Sequence, residues 1–186
     1  VGAGAAGLWA AEACARRGVS TLVLEKTGKT GTKILSSGGT RCNLTTTLEP
    51  AEAARWYRDG RRFVLPALRN LSPQQVRARF ETIGVRTKVE ERYEKVFPRS
   101  DSALEVRNAL ERAARDAGAV FRFNSAVLSI EQDGDDWWVH GASFRVRCAR
   151  LLLCVGGKSY PKTGTTGDGY AWLSDLGLEL IRPVPA

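Results

Sequence analysis

Methionine is absent from this chain, histidine occurs once, at position 140, and cysteine four times in 186 residues. A single histidine rules out multi-histidine metal sites and makes a histidine-based triad a poor expectation; His140 reads as structural. Cys14, Cys42, Cys148 and Cys154 contain no CxxC pair, which fits neither a zinc site nor a small disulfide scaffold. Reduced thiols in a cytoplasmic protein are the simplest reading. No apolar run approaches the ~20 residues that span a bilayer, and no basic-then-apolar leader opens the sequence. The chain starts on Val1-Gly2 without a methionine, so it reads as a piece trimmed at its N-terminus.

Charge is less balanced than composition. The net charge is +8, and residues 55–99 supply most of it, with 12 Lys/Arg against 5 Asp/Glu. These basic residues are scattered through amphipathic helical sequence with no aromatic stacking pattern expected between them. A solvated basic face is therefore favoured over attraction of an anionic ligand, and nucleic acid comes last.

Periodicity predicts a helix over 8–18 closed by Gly18, then a buried strand over 20–26. Helical patterning over 49–70 is expected to break at Gly60 and near Pro66. Capping boxes are expected at Ser72/Gln75 and Ser102/Glu105, the second opening a helix to Gly118. Short strands flank both sides of a turn near 92–95. After 118 come strands in "AVFRFN" and "AVLSIEQ", a turn at Asp133-Gly134, and a meander through "WWVHG" and "SFRVRC". "RLLLCVGG" (150–157) reads as a fully buried strand, "GDGYAWLSDLG" as a helix and "LELIRP" as a last strand. The order predicts an α/β, Rossmann-like dinucleotide-binding domain over 1–186, with a central parallel sheet, a helical excursion and an inserted antiparallel meander.

Gly2-Ala3-Gly4-Ala5-Ala6-Gly7 fits GxGxxG. The first glycine permits the turn, the second admits a diphosphate, and the third lets helix and strand pack closely. Glu25, 18 residues past Gly7, stands where a carboxylate would accept both hydroxyls of an adenosine ribose and repel a 2′-phosphate. Two GK[TS] strings, at 28–30 and 157–159, lack the upstream glycine of a Walker loop.

"GTKILSSGGTRCNLTT" (31–46) shows neither helical nor strand period. So long a passage in a compact domain points to function. Ser37, Gly38 and Gly39 would let backbone lie against a flat ring, while Arg41 and Asn43 would donate to ring oxygens and a ribityl chain. Cys42 is either a small packing residue or a thiol activated by Arg41. Lys33 is either an anion ligand or solvated; Asp168 either caps its helix or meets cofactor; Tyr160 is a weak candidate proton donor, and with Cys42 the only catalytic candidate. Trp137 and Trp138 read as meander packing.

"GAGAAGL", "GTKILSSGGTRCNLT", "EKVFPRSDSALEV" and "VGGKSYPKTGTTGDGY" together resemble the successive signatures of the BaiN-like, aminoacetone-oxidase-type FAD-dependent flavoproteins, within the glutathione-reductase-like two-dinucleotide-domain group. The resemblance implies FAD along Gly2, Gly4, Ala5, Ala6 and Gly7, Glu25 and Lys26 at the ribose, and Lys33, Ser37, Gly38, Gly39, Arg41, Cys42 and Asn43 beside the flavin. It implies Val127 at the adenine, and Gly156, Gly157 and Asp168 near the cofactor. It further implies an inserted barrel-like domain and a flavin-closing segment beyond the "PVPA" end; a small-molecule substrate, no membrane and NAD(P)H as a candidate electron donor are the accompanying expectations. Thr40 stands where such sequences often carry glycine, and Tyr93-Glu94-Lys95 replaces a tighter Gly-Arg turn. The expected function is a flavin-mediated oxidoreductase, inactive as this piece alone; the alternatives are an NAD-binding dehydrogenase half-domain and a basic nucleic-acid-binding module.

Overall fold

A computed structural model describes residues 1–181 and 183. The chain divides into two compact units, Val1–Lys33 with Glu111–Ala186, and Ile34–Leu110.

In the first unit, α1 (Ala5–Ala15) leads into β1 (Leu22–Leu24). Gly18 stops the helix with φ +77, its N–H bonded to Ala15 O, because only glycine takes that turn without a Cβ penalty. β1 pairs in parallel with β5 (Val120–Arg122), in the register Val23↔Phe121. Ala3, Ala11, Ala15, Val23, Ala114 and Ala119 form the buried cluster between helix and strand. Small residues dominate it, so α1 lies close against the strand. β6 (Val127–Asp133), β7 (Asp136–Gly141) and β8 (Phe144–Cys148) make the expected antiparallel meander, with Gly134 at φ +59 in the first turn. Arg145 stacks 3.7 Å from the centroid of the Trp138 ring, a packing use of that tryptophan.

Residues 150–157 depart from the expectation of a fully buried strand. Leu152 is 53% exposed. Among the described residues its backbone bonds to other segments are to Val1, whose amine donates to Leu152 O (2.7 Å) and whose carbonyl accepts from Cys154 N (2.8 Å). A ladder needs backbone pairing over several residues, and among the described residues Val1 alone supplies it. Residues 178–181 form no strand, and Arg182 of that expected element lies outside the described residues.

In the second unit, the passage expected to lack periodicity contains a short helix, α2 (Thr32–Ser36, starting in the first unit), followed by a tight turn over Ser37–Thr40. β2 (Thr45–Thr46) then joins the sheet β2-β4-β3 formed with β3 (Thr87–Glu90) and β4 (Lys95–Pro98). The helical excursion is α3 (Pro50–Ala53), a 3-10 stretch over Ala54–Gly60, α4 (Arg61–Asn70) and α5 (Pro73–Thr82). Its break comes at Arg58, φ +46, next to the expected Gly60; Pro66 sits within α4 without ending it. Both bonds of the Ser72/Gln75 capping box are made. The Ser102/Glu105 box is half made: Glu105 N–H reaches Ser102 Oγ (3.3 Å), but the Glu105 carboxylate takes the Ser100 hydroxyl. The helix it opens, α6 (Ala103–Asp116), is divided between the units after Leu110.

Candidate functional site

The turn before α1 assigns each glycine of GxGxxG a separate physical task. Gly2 has φ +94, and a Cβ there would stand 2.5 Å from the Cys154 carbonyl oxygen. A Cβ on Gly7 would overlap the Gly2 carbonyl oxygen, so this glycine is needed for close packing. A Cβ on Gly4 would meet nothing within 4 Å. Gly4 therefore serves no protein contact, and the space beside it is open to a ligand. No side chain caps α1, its first turn carries no acidic residue, and Ala5 and Ala6 are exposed. The start of the helix thus presents free N–H groups and its positive dipole end to that space.

Glu25 follows β1 and turns back to this turn. Its Oε2 accepts from Ala3 N (2.8 Å), and Oε1 from Thr27 N (2.8 Å). The Thr27 hydroxyl, with one proton, reaches both Glu25 Oε1 and Lys29 O at 2.9 Å. When it donates to Lys29 O, each carboxylate oxygen keeps one lone pair, one for each hydroxyl of a vicinal diol. Thr27 was not read from sequence; its place two residues beyond the acid, where a side chain closes a local turn, was the available signal.

Lys26 and Lys33 are engaged with a glycine-rich loop, neither being merely solvated. Lys26 Nζ lies 2.9 Å from Asp168 Oδ2 and 3.1 Å from Thr166 Oγ1. Lys33 Nζ donates to Ser159 O (2.9 Å) and Thr165 Oγ1 (3.0 Å). Asp168 does not cap α7 (Asp168–Asp175), whose N-cap is Gly167 without a side-chain bond. The Thr166 hydroxyl, and after it Lys26, hold the Asp168 carboxyl below its usual range. Gly156 and Gly157 begin this loop; a Cβ on Gly156 would press on Thr165 Cγ2 at 2.7 Å. Tyr160 is 78% exposed with φ +55, and its backbone, rather than its ring, holds the loop through Thr163 N–H. Val127 opens β6 at a register irregularity between Val127 and Ser129.

Ser37, Gly38, Gly39, Arg41, Cys42 and Asn43 lie in the second unit. Gly38 and Gly39 have φ +55 and +65; a Cβ on Gly38 would crowd Asn43 N at 2.8 Å, whereas one on Gly39 meets nothing. Thr40 and Cys42 share the left-handed region, φ +71 and +65, so the chain coils tightly. The Arg41 guanidinium grips the Glu90 carboxylate, lies 3.6 Å from Asp101 Oδ1 and stacks on Phe97 at 4.2 Å. Its donors are thus largely spent on the protein itself. Arg41 lowers the Glu90 carboxyl, and Lys88 more than Arg41 lowers that of Asp101. The Cys42 side chain is buried, burial pushes its thiol up, and the Arg41 guanidinium is committed to Glu90, which together weigh against an Arg41-activated thiolate.

The basic stretch also differs from its sequence reading. Arg77 pairs with Glu81 and Lys88 with Asp101, while Arg92 and Lys95 lie against Tyr93. Between 55 and 69, however, Trp56, Tyr57 and Phe63 are exposed among five arginines, an aromatic pattern that was not read. A helical period hides it, because exposure is set by which face packs.

A glycine turn into an uncapped helix, followed by a strand and an acid that returns to the turn, defines a Rossmann-type dinucleotide-binding domain. The chain belongs to the family described as the HI0933-like protein Rossmann domain, whose pattern matches residues 1–184. It is 30% identical over 188 residues to a 3-dehydro-bile acid delta(4,6)-reductase of Clostridium scindens, covering 100% of this chain and 45% of that protein. It is 28% identical over 184 residues to a ribosomal RNA dihydrouridine synthase of Escherichia coli, covering 97% and 44%. The chain spans less than half the length of these relatives. Among solved structures, glycine oxidase from Geobacillus kaustophilus superposes with a TM-score of 0.52 at 16% identity, covering 96% of this chain and 57% of that one, a likeness of fold.

Proposed function

We propose that this chain is the FAD-binding part of a flavin-dependent oxidoreductase of the cytoplasm. The observation that carries the reading is the open space at Gly4, beside an uncapped helix start and within a turn held by Glu25. A diphosphate would lie on the free N–H groups of Ala5, Ala6 and Gly7, where its charge and the helix dipole attract each other. Glu25 would take the adenosine ribose and exclude a 2′-phosphate. Val127 would meet the adenine, where the β6 irregularity supports access to backbone groups. Lys26 and Lys33 would supply positive charge beside the loop of Gly156, Gly157 and Asp168. In the second unit, Ser37–Asn43 would face the flavin: Gly39 leaves room for a ring, and Asn43 is exposed for donation. Bound FAD supplies two-electron redox chemistry; the residues here orient it and set the charge around it.

NAD(P)H is the proposed electron donor and a small molecule the proposed substrate. The relatives' names, a bile-acid reductase and a ribosomal RNA dihydrouridine synthase, leave a wide range of substrates within one family. A cytoplasmic location agrees with four free cysteines. An NAD-only half-domain would use Glu25 equally well but gives no use to the coiled glycine passage at 37–43.

The test is titration of the protein with FAD, followed by flavin fluorescence and thermal shift, then anaerobic addition of NADH or NADPH while the 450 nm region is watched. Quenching and stabilisation by FAD are expected, with no such response to NAD alone. Saturation by NAD and indifference to FAD would reverse the assignment.

A further inference from the structure

We infer that the face built by residues 55–69 is a docking surface for single-stranded nucleic acid. The ends of the 3-10 stretch and of α4 carry Arg55, Arg58, Arg61, Arg62 and Arg69, all exposed, against one acid, Asp59. Among the described residues none of these five arginines has an ion-pair partner, unlike Arg41, Arg77 and Lys88. Trp56 (78% exposed), Tyr57 (54%) and Phe63 (88%) stand among them. Three aromatic rings left in water within eight residues, each beside arginine, supply what an unpaired strand needs: flat apolar faces for its bases and cations for its phosphates.

The packing of α4 explains why these rings stay outside. Val64, Leu65 and Leu68 are half-buried and form the inner face, leaving Phe63, Pro66 and Ala67 outward with Arg62 and Arg69 exposed alongside. A helix for a bilayer surface gathers its large apolar groups into one stripe opposite its charges. Here the outward face holds one aromatic ring next to small residues, and the remaining rings, Trp56 and Tyr57, stand between Arg55 and Arg58 in the preceding turn. A duplex offers phosphates but keeps its bases stacked inside, so it uses only half of the surface. The inference goes beyond the flavin reading and is independent of it.

The experiment is fluorescence anisotropy of a labelled oligouridylate of about 12 nucleotides, within the usual single-strand site sizes, titrated with protein from about 50 mM salt upward. A matched RNA duplex and phosphatidylserine/phosphatidylcholine vesicles are run beside it. Single-strand binding with quenching of tryptophan fluorescence is expected, and log K should fall with log salt at a slope of about −3.5 if all five arginines engage. Trp56→Ala and Phe63→Ala should each weaken binding about five- to a hundredfold. Arg58→Gln with Arg62→Gln should reduce the slope by about 1.4. Unchanged circular dichroism and unchanged FAD binding in these variants separate this surface from the dinucleotide site. No binding at low salt, equal binding of duplex, vesicle binding in place of RNA, or variants that bind as the parent does would each overturn the inference.

Discussion

Gly4 and Gly7 lie three residues apart in one motif, yet substitution should affect different properties. A side chain at Gly4 meets no protein atom, and its φ of −76 suits any residue. Gly4→Val should therefore leave the melting temperature of the free protein within a degree or so while weakening FAD binding at least about tenfold, since close backbone approach is lost. Gly7→Ala should instead destabilise the fold by about 1–3 kcal/mol, the usual cost of overpacking, as urea denaturation would show. Both departures from the family resemblance include left-handed backbone: Thr40, where such sequences often carry glycine, at φ +71, and Glu94, within the turn that replaces a tighter Gly-Arg one, at φ +51. That conformation costs a non-glycine residue roughly 1–2 kcal/mol, against about 0.5–1 kcal/mol of extra chain entropy lost by glycine. Thr40→Gly should accordingly stabilise the protein by about 0.5–1 kcal/mol in the same assay.

At the scale of elements, ion pairs and caps make the second unit dependent on pH and on a few side chains. Glu90 and Asp101 have carboxyls lowered by Arg41 and Lys88 respectively. A carboxyl depressed in the folded state stabilises it above the unfolded value, about 4, and that contribution is lost as pH falls through the lower folded value. Denaturant midpoints should fall below about pH 4, and Arg41→Gln should flatten that fall. Asp168, lowered by Thr166 and Lys26, shifts in the same direction for the first unit's loop. The capping box of α5 makes both its bonds, so Ser72→Ala should cost about 1 kcal/mol in chemical denaturation. For α6 the box is legible in sequence, but its glutamate turns to the Ser100 hydroxyl, and the Ser102 N–H it would cap is taken by Ser100 Oγ. A three-residue spacing records who can meet, not who competes.

For the molecule as a whole, charge and exposure act together. Of the basic residues between 55 and 99, Arg77 and Lys88 have acidic partners, Glu81 and Asp101, whereas the arginines at 55–69 have none among the described residues. Raising salt should therefore have little effect on stability yet a steep effect on any bound polyanion, which parallel melting and anisotropy measurements would separate. FAD binding at the turn Gly2–Gly7 should raise the melting temperature with FAD concentration, and Gly4→Val should need at least about tenfold more FAD for the same rise.

The sequence by itself determined the element types that depend on short-range chemistry. The glycine turn, Glu25, the Gly18 and Gly118 stops, the Ser72 cap and the meander's turn all follow from backbone sterics and neighbours a few residues away. Tertiary structure alone decided how side chains are partnered. Lys26 meets Asp168 across 142 positions and Lys33 meets Thr165 across 132, while Arg41 is drawn to Glu90 and Phe97. It also decided that Cys42 is buried and Trp56 is not, because burial is set by what the whole chain brings to one place.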